Sequence, residues 1–220
     1  MSTKPIEVET QLANLQLVPV VSLPSVEAGL HLAEILIRCN LPVAEVTLRT
    51  PCGIDGIAAM KKQFTDLLVL AGTVLSPDQA ASAHDAGAEC IVIPGFHAEL
   101  VEYCQIRNIM VCPGTATPTE VLQCRNMGLH AVKFFPAEVA GGIGMLKAMA
   151  AVFNDMRFMP TGGISPANVV QYLRLDTVFC CGGSWLAPEE LMRNGRWKEI
   201  EERIRRAVSL LMEQKNIIRQ

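Results

Sequence analysis

The sequence predicts an α/β fold, a (β/α)8 TIM barrel with an extra N-terminal helix, formed by residues 1–220 as one domain. Three observations carry that expectation. Eight short β-rich runs recur at spacings of 19 to 27 residues, with a helix-like stretch in each gap. Strands that alternate with helices in this way lie parallel and are joined by crossover helices. Two glycine pairs follow the last two runs, where barrels of this class build phosphate sites. Finally, the 220 residues are 50% hydrophobic and only 19% charged, enough to bury one core and too apolar for a disordered chain. An open doubly wound sheet is the alternative architecture.

Taken in order, residues 1–14 read as the extra helix, laid across one end of the barrel. The strand runs begin at Leu17 (LVPVV), Val43 (VAEVTL), Leu67 (LLVLA), Glu89 (ECIVI), Ile109 (IMVC), His130 (HAVKFF), Arg157 (RFMP) and Asp176 (DTVFCC). Helices are expected over Val26–Cys39, Pro77–Ala86, Thr119–Met127 and Met145–Val152. Ser76-Pro77 and Ser165-Pro166 each put a capping hydroxyl before a proline at the first helical position. Gly87 and Gly128 stand where helices stop. From Arg196 to Leu211, Trp197, Ile200, Ile204, Val208 and Leu211 recur at helical spacing and mark a closing helix.

Composition narrows the function. The net charge of −3 comes without a basic stripe, which argues against a nucleic-acid partner. No apolar stretch approaches the ~20 residues of a membrane span. Residues 1–12 lack an apolar signal core, so a cytoplasmic location is expected. The eight cysteines include no Cys-x-x-Cys pair and no histidine at zinc-ligand spacing. We read them as reduced packing residues, with no metal and no cofactor.

The candidate chemistry lies where a barrel strand should be apolar and is not. In the second run, alternation turns Ala44, Val46 and Leu48 outward and Glu45, Thr47 and Arg49 into the barrel. An inward Glu and Arg are costly without partners or a ligand. They read as a general acid/base beside an anion clamp, or as a pair that merely satisfies itself. In the sixth run Lys133 stands inside an apolar strand, and the other six lysines do not. Burial disfavours the ammonium form, and a neutral amine can attack a carbonyl to form a Schiff base. The bland alternative is a lysine that reaches solvent or pairs with Glu45. Gly162-Gly163 and Gly182-Gly183 suit close approach of backbone N–H groups to a phosphate, or simply make two tight turns. Thr73, Pro94 and Pro113 end the third, fourth and fifth runs.

These pieces together resemble one family. EVTLRT (Glu45–Thr50), AGTVL (Ala71–Leu75), PGTATPTE (Pro113–Glu120), VKFFPAE (Val132–Glu138), PTGGISPAN (Pro160–Asn168) and GGSWL (Gly182–Leu186) are similar, in order, to motifs of the bacterial 2-keto-3-deoxy-6-phosphogluconate (KDPG) aldolases. Members of that family also act on 4-hydroxy-2-oxoglutarate (KHG). The resemblance implies that Lys133 forms the Schiff base and Glu45 moves protons. It also implies that Arg49 and Thr73 hold the pyruvate carboxylate and that Thr161 lies near the cleaved bond. Pro94 and Phe135 would wall the pyruvyl group, and Gly162, Gly163, Gly183 and Ser184 would take the phosphate. A phosphorylated keto acid substrate and a homotrimer are expected in turn. The chain departs from the family pattern at Leu70, where a glycine is usual, and at Ile93, where a serine precedes Pro94. Ile93 bears on the polarity of the rim. The rival readings are a pyruvate-dependent aldolase for another phosphorylated 2-keto-3-deoxy sugar acid, and a phosphometabolite-binding barrel without catalysis.

Overall fold

The structure is a computed structural model that describes residues 3–218. It opens with α1 (Thr3–Leu15), then alternates β1 (Leu17–Val21), α2 (Val26–Arg38), β2 (Val43–Thr47), α3 (Gly53–Gln63), β3 (Leu68–Gly72), α4 (Pro77–Asp85), β4 (Cys90–Val92) and α5 (Ala98–Ile106). It continues through β5 (Met110–Cys112), β6 (Gly114–Thr115), α6 (Pro118–Asn126), β7 (Ala131–Phe134), α7 (Gly142–Val152), β8 (Arg157–Pro160), α8 (Val169–Leu173), β9 (Cys181–Gly183), α9 (Glu189–Arg193) and α10 (Trp197–Ile218).

The named strands pair in parallel, one set in the order β5-β4-β3-β2-β1-β9 and the other β6-β7-β8. Both seams between the sets are bridged. β5 and β6 are one run split at Pro113, which has no N–H to give a ladder. The Pro113 carbonyl accepts the Lys133 N–H at 2.8 Å and so carries the pairing on to β7. At the other seam, parallel bridges join Phe158 to Val178 and Thr161 to Gly182. The result is a closed ring of eight strands, as expected.

Register explains what lines its interior. Val20, Glu45, Leu70, Cys90 and Met110 are successive partners around the ring. Parallel partners share a face, so all five point inward with Glu45. Ile93 lies one residue beyond that alternation and is 2% exposed. It is buried among the packed layers rather than set on the rim, so the departure at this position leaves rim polarity alone.

The extra helix is where the sequence places it. Val8 and Leu12 are buried, α1 packs on β1 and β5, and Glu9 pairs with Arg157 at the start of β8, 2.7 Å apart. α1 therefore covers the N-terminal ends of the strands. At the chain's other end, α10 buries Ile200 and Ile204, and Trp197 stacks on His31 with ring centroids 5.1 Å apart.

Ser76 caps α4 as foreseen, accepting the Gln79 N–H at 3.2 Å. Three local expectations are corrected. The last strand starts at Cys181 rather than Asp176, so Gly182 and Gly183 lie within it rather than after it. α8 starts at Val169, and Ser165 is not its cap: the Ser165 N–H donates instead to Asn168 Oδ1 at 2.8 Å. Arg49 lies beyond the end of β2, in an exposed turn, and not on an inward strand position.

Candidate active site

Two charged residues meet inside the ring. Lys133 Nζ on β7 donates to Glu45 Oε1 on β2 at 3.0 Å, and the two residues are 5% and 0% exposed. A buried ion pair recovers its desolvation cost only when its remaining lone pairs and protons are satisfied. Here Glu45 Oε2 is buried and has no hydrogen-bond partner. Leaving such an acceptor unpaired costs about 1–3 kcal/mol. An apolar pair would suit stability better, so the arrangement points to chemistry.

Space for the carboxylate comes from β3. A Cβ built on Gly72 would come within 2.8 Å of Glu45 Cγ and overlap its carboxylate. The next residue, Thr73, has φ +59°. A β-branched residue in the left-handed region carries strain of order 1–3 kcal/mol, a feature that gathers at functional sites. Thr73 is half-buried where β3 opens onto the rim.

Arg49 is held from below. Its Nε donates to Thr47 Oγ1 at 3.3 Å, and that hydroxyl donates to the Val21 carbonyl at 3.0 Å. Ser22 Oγ lies 3.0 Å from the same Thr47 oxygen. Thr47 is thus an anchor for the guanidinium at the mouth of the barrel. Arg49 stands on the rim and takes no part in the Lys133–Glu45 pair, so the reading of a self-satisfied Glu45–Arg49 pair is set aside.

The remaining candidates ring the same end. Phe135 follows β7, and its ring centroid is 5.2 Å from Lys133 Nζ. The Pro94 carbonyl lies so close to Gly114 that a side chain there would overlap it. Thr161 is 6% exposed, and its hydroxyl donates to the Met159 carbonyl at 3.4 Å. Its bridge to Gly182 sets the loop after β8 beside β9. Gly162 and Gly163 have φ of +96° and +79°, a backbone path that favours glycine. Gly183 is buried, and Ser184 is exposed in the turn beyond it.

Cysteine chemistry is absent from this centre. All eight thiols are free. Burial pushes the Cys90 and Cys112 thiols, which line strands near the pair, well above the ordinary range. No group of three or more His, Cys, Asp or Glu residues suited to a metal occurs among the described residues.

A (β/α)8 barrel with a buried lysine–glutamate pair beside strained and glycine-rich strand ends defines the class: a carbon–carbon lyase of the aldolase type. The comparisons give the family. The model for the KDPG and KHG aldolases matches residues 8–203, and the chain belongs to that family. The KHG/KDPG aldolase of Escherichia coli K12 is 40% identical over 200 residues, 91% of this chain and 94% of that protein. The 2-dehydro-3-deoxy-phosphogluconate aldolase of Haemophilus influenzae is 36% identical over 201 residues, with 91% and 95% coverage. Among solved structures, a KDPG aldolase from Legionella pneumophila, with pyruvate captured as a covalent carbinolamine, superposes with TM-score 0.87 at 40% identity, covering 90% and 96%. The Zymomonas mobilis ZM4 enzyme with 3-phosphoglycerate gives TM-score 0.80 at 36% identity, covering 91% and 96%.

Two contributors escape a reading of the sequence. Gly72 clears space for Glu45 only through strand register. Thr47 is inward by alternation, but its grip on Arg49 depends on the turn beyond β2.

Proposed function

We propose that this chain is a class I aldolase that cleaves KDPG to pyruvate and glyceraldehyde 3-phosphate, and KHG to pyruvate and glyoxylate. The observation that carries the reading is the 3.0 Å contact of Lys133 Nζ with Glu45 inside the barrel.

In the reaction, Glu45 takes a proton from Lys133, and the free amine attacks the C2 ketone. Loss of water, with a proton returned by Glu45, leaves an iminium that is a positive electron sink beside C3. Glu45 then takes the proton of the C4 hydroxyl, for which its unpaired Oε2 is available. The C3–C4 bond breaks, its electrons enter the iminium, and the aldehyde leaves. Glu45 returns the proton to C3 of the enamine, and water releases pyruvate. Positioned proton transfer of this kind contributes about 10²–10⁴-fold.

Arg49 and Thr73 hold the substrate carboxylate and so aim C2 at Lys133. Pro94 and Phe135 enclose the pyruvyl group, and Thr161 sits beside the cleaved bond. Gly162, Gly163, Gly183 and Ser184 receive the phosphate. The capture of pyruvate as a carbinolamine in the Legionella relative supports the lysine chemistry.

We further propose a cytoplasmic homotrimer. The free thiols suit a reducing compartment. Leu75 and Val139, 57% and 88% exposed beyond β3 and β7, are large apolar side chains open to a partner subunit. A cyclic trimer repeats one contact between two different faces of the subunit. No described helix is long and apolar enough to cross a membrane.

The test is trapping with pyruvate and borohydride. A reduced pyruvyl group should be found on Lys133 by peptide mass mapping. A protein left unlabelled, or labelled elsewhere, rejects the mechanism. A panel of phosphorylated 2-keto-3-deoxy sugar acids then separates KDPG from other aldehyde halves.

A further inference from the structure

One polar pair, half of it buried, lies outside the machinery described so far. Tyr172, on α8, is 0% exposed, and its hydroxyl donates to Glu138 Oε1. Glu138 belongs to the turn that leaves β7, and that turn lies against the glycine loop through backbone and side chain. The Glu138 N–H donates to the Gly162 carbonyl at 3.1 Å, and the Ala137 N–H donates to the Thr161 carbonyl at 2.8 Å. The Glu138 side chain covers Gly163, where an added Cβ would come within 2.5 Å of Glu138 Cγ. On the opposite side, Asn168 Nδ2 donates to the Gly163 carbonyl at 3.1 Å. The loop is therefore clamped between the turn after β7 and the start of α8.

A phenylalanine at 172 would fill the same volume, so packing alone does not call for the hydroxyl. What the hydroxyl does is fix where a carboxylate points. An untethered Glu138 beside the glycine loop would set a negative charge against an incoming phosphate dianion. Donation from Tyr172 holds one carboxylate oxygen toward α8 and keeps the aliphatic part of Glu138 over Gly163. Burial first, and Glu138 second, push the tyrosine well above its ordinary range, so the O–H stays protonated throughout the usual assay range.

We propose that Glu138, tethered by Tyr172, is a positioning residue for the phosphate loop and sets the preference for phosphorylated over unphosphorylated keto acids. This rests on the aldolase reading given above. KHG is shorter and carries no phosphate, so the pair should not influence it.

The experiment compares KM and kcat for KDPG and KHG in Tyr172→Phe, Glu138→Ala and Glu138→Gln. Loss of a hydrogen bond to a charged group predicts a rise in KM for KDPG of ~10-fold or more in Tyr172→Phe, and Glu138→Ala, which uncovers Gly163, should raise it as well. KM and kcat for KHG should stay near the parent values. Glu138→Gln keeps an oxygen able to accept the tyrosine O–H and should restore the parent KM. A change shared equally by both substrates, no change at all, or a Gln variant as impaired as the Ala variant overturns the proposal. Glu138 is surface-exposed, so its variants remain informative if Tyr172→Phe folds poorly. Pyruvate–borohydride labelling of Lys133 in the parent protein separates this outcome from failure of the aldolase reading itself.

Discussion

Gly72 lies against Glu45 across the β2–β3 ladder, and the carboxylate occupies the space in which any other residue at 72 would place its Cβ. The missing side chain on one strand is what lets the neighbouring strand hold a buried carboxylate within reach of Lys133.

Gly72→Ala therefore displaces Glu45 with Lys133 left intact. We expect kcat to fall by ~10²-fold or more, the scale of a lost positioned proton carrier. Borohydride labelling of Lys133 with pyruvate should still be detectable. Steady-state assay together with a thermal melt makes the check, and a kcat within twofold of the parent would show that the carboxylate moves aside freely.

Ser184 offers a test of the phosphate end. Ser184→Glu places a like charge where the phosphate is proposed to lie, and such juxtapositions cost several kcal/mol. KM for KDPG should rise by ~10-fold or more, while KM for KHG stays nearly constant. Equal effects on the two substrates would move the phosphate site elsewhere.

Leu12 separates stability from activity. It is 1% exposed on α1, at the end of the barrel away from Lys133. Leu12→Ala should lower the unfolding free energy by about 2–5 kcal/mol in urea titration. At a temperature where the variant stays folded, its kcat should match the parent. A large loss of kcat would tie α1 to the chemistry.

The thiols give a prediction about pH. Burial raises Cys104 and Cys124 to about 12, and raises Cys90, Cys112, Cys180 and Cys181 as well. A raised value keeps the thiol protonated below it, and only the thiolate attacks. Iodoacetamide at pH 8 should leave these six unmodified in the folded protein and alkylate them in denaturant. Rapid labelling of Cys112 without denaturant would contradict its burial.

The barrel was legible because its period was: strand and helix alternate, and Glu45 and Lys133 stand out as charges in otherwise apolar strands. Other features needed the third dimension. Alternation points Arg49 inward, but the strand stops at Thr47, and a period-two pattern does not reveal where pairing ends. The aromatic and β-branched run from Asp176 looks more strand-like than Cys-Gly-Gly. The ladder nevertheless falls on the glycines, because Gly182 must lie against Thr161, where a side chain would overlap the threonine hydroxyl. The Tyr172–Glu138 contact spans 34 residues, beyond any local pattern.

With α1 seated across the strand N-termini and Glu9 bound to Arg157, the candidate site lies at the opposite end of the barrel. Approach from that end imposes a sequence on events. In the proposed reaction the pyruvyl half stays bonded to Lys133 after the C3–C4 bond breaks, so the aldehyde departs first and pyruvate last. Run in reverse, pyruvate must load before the aldehyde enters. Excess aldehyde arriving early would block the passage, and condensation would slow as aldehyde concentration rises.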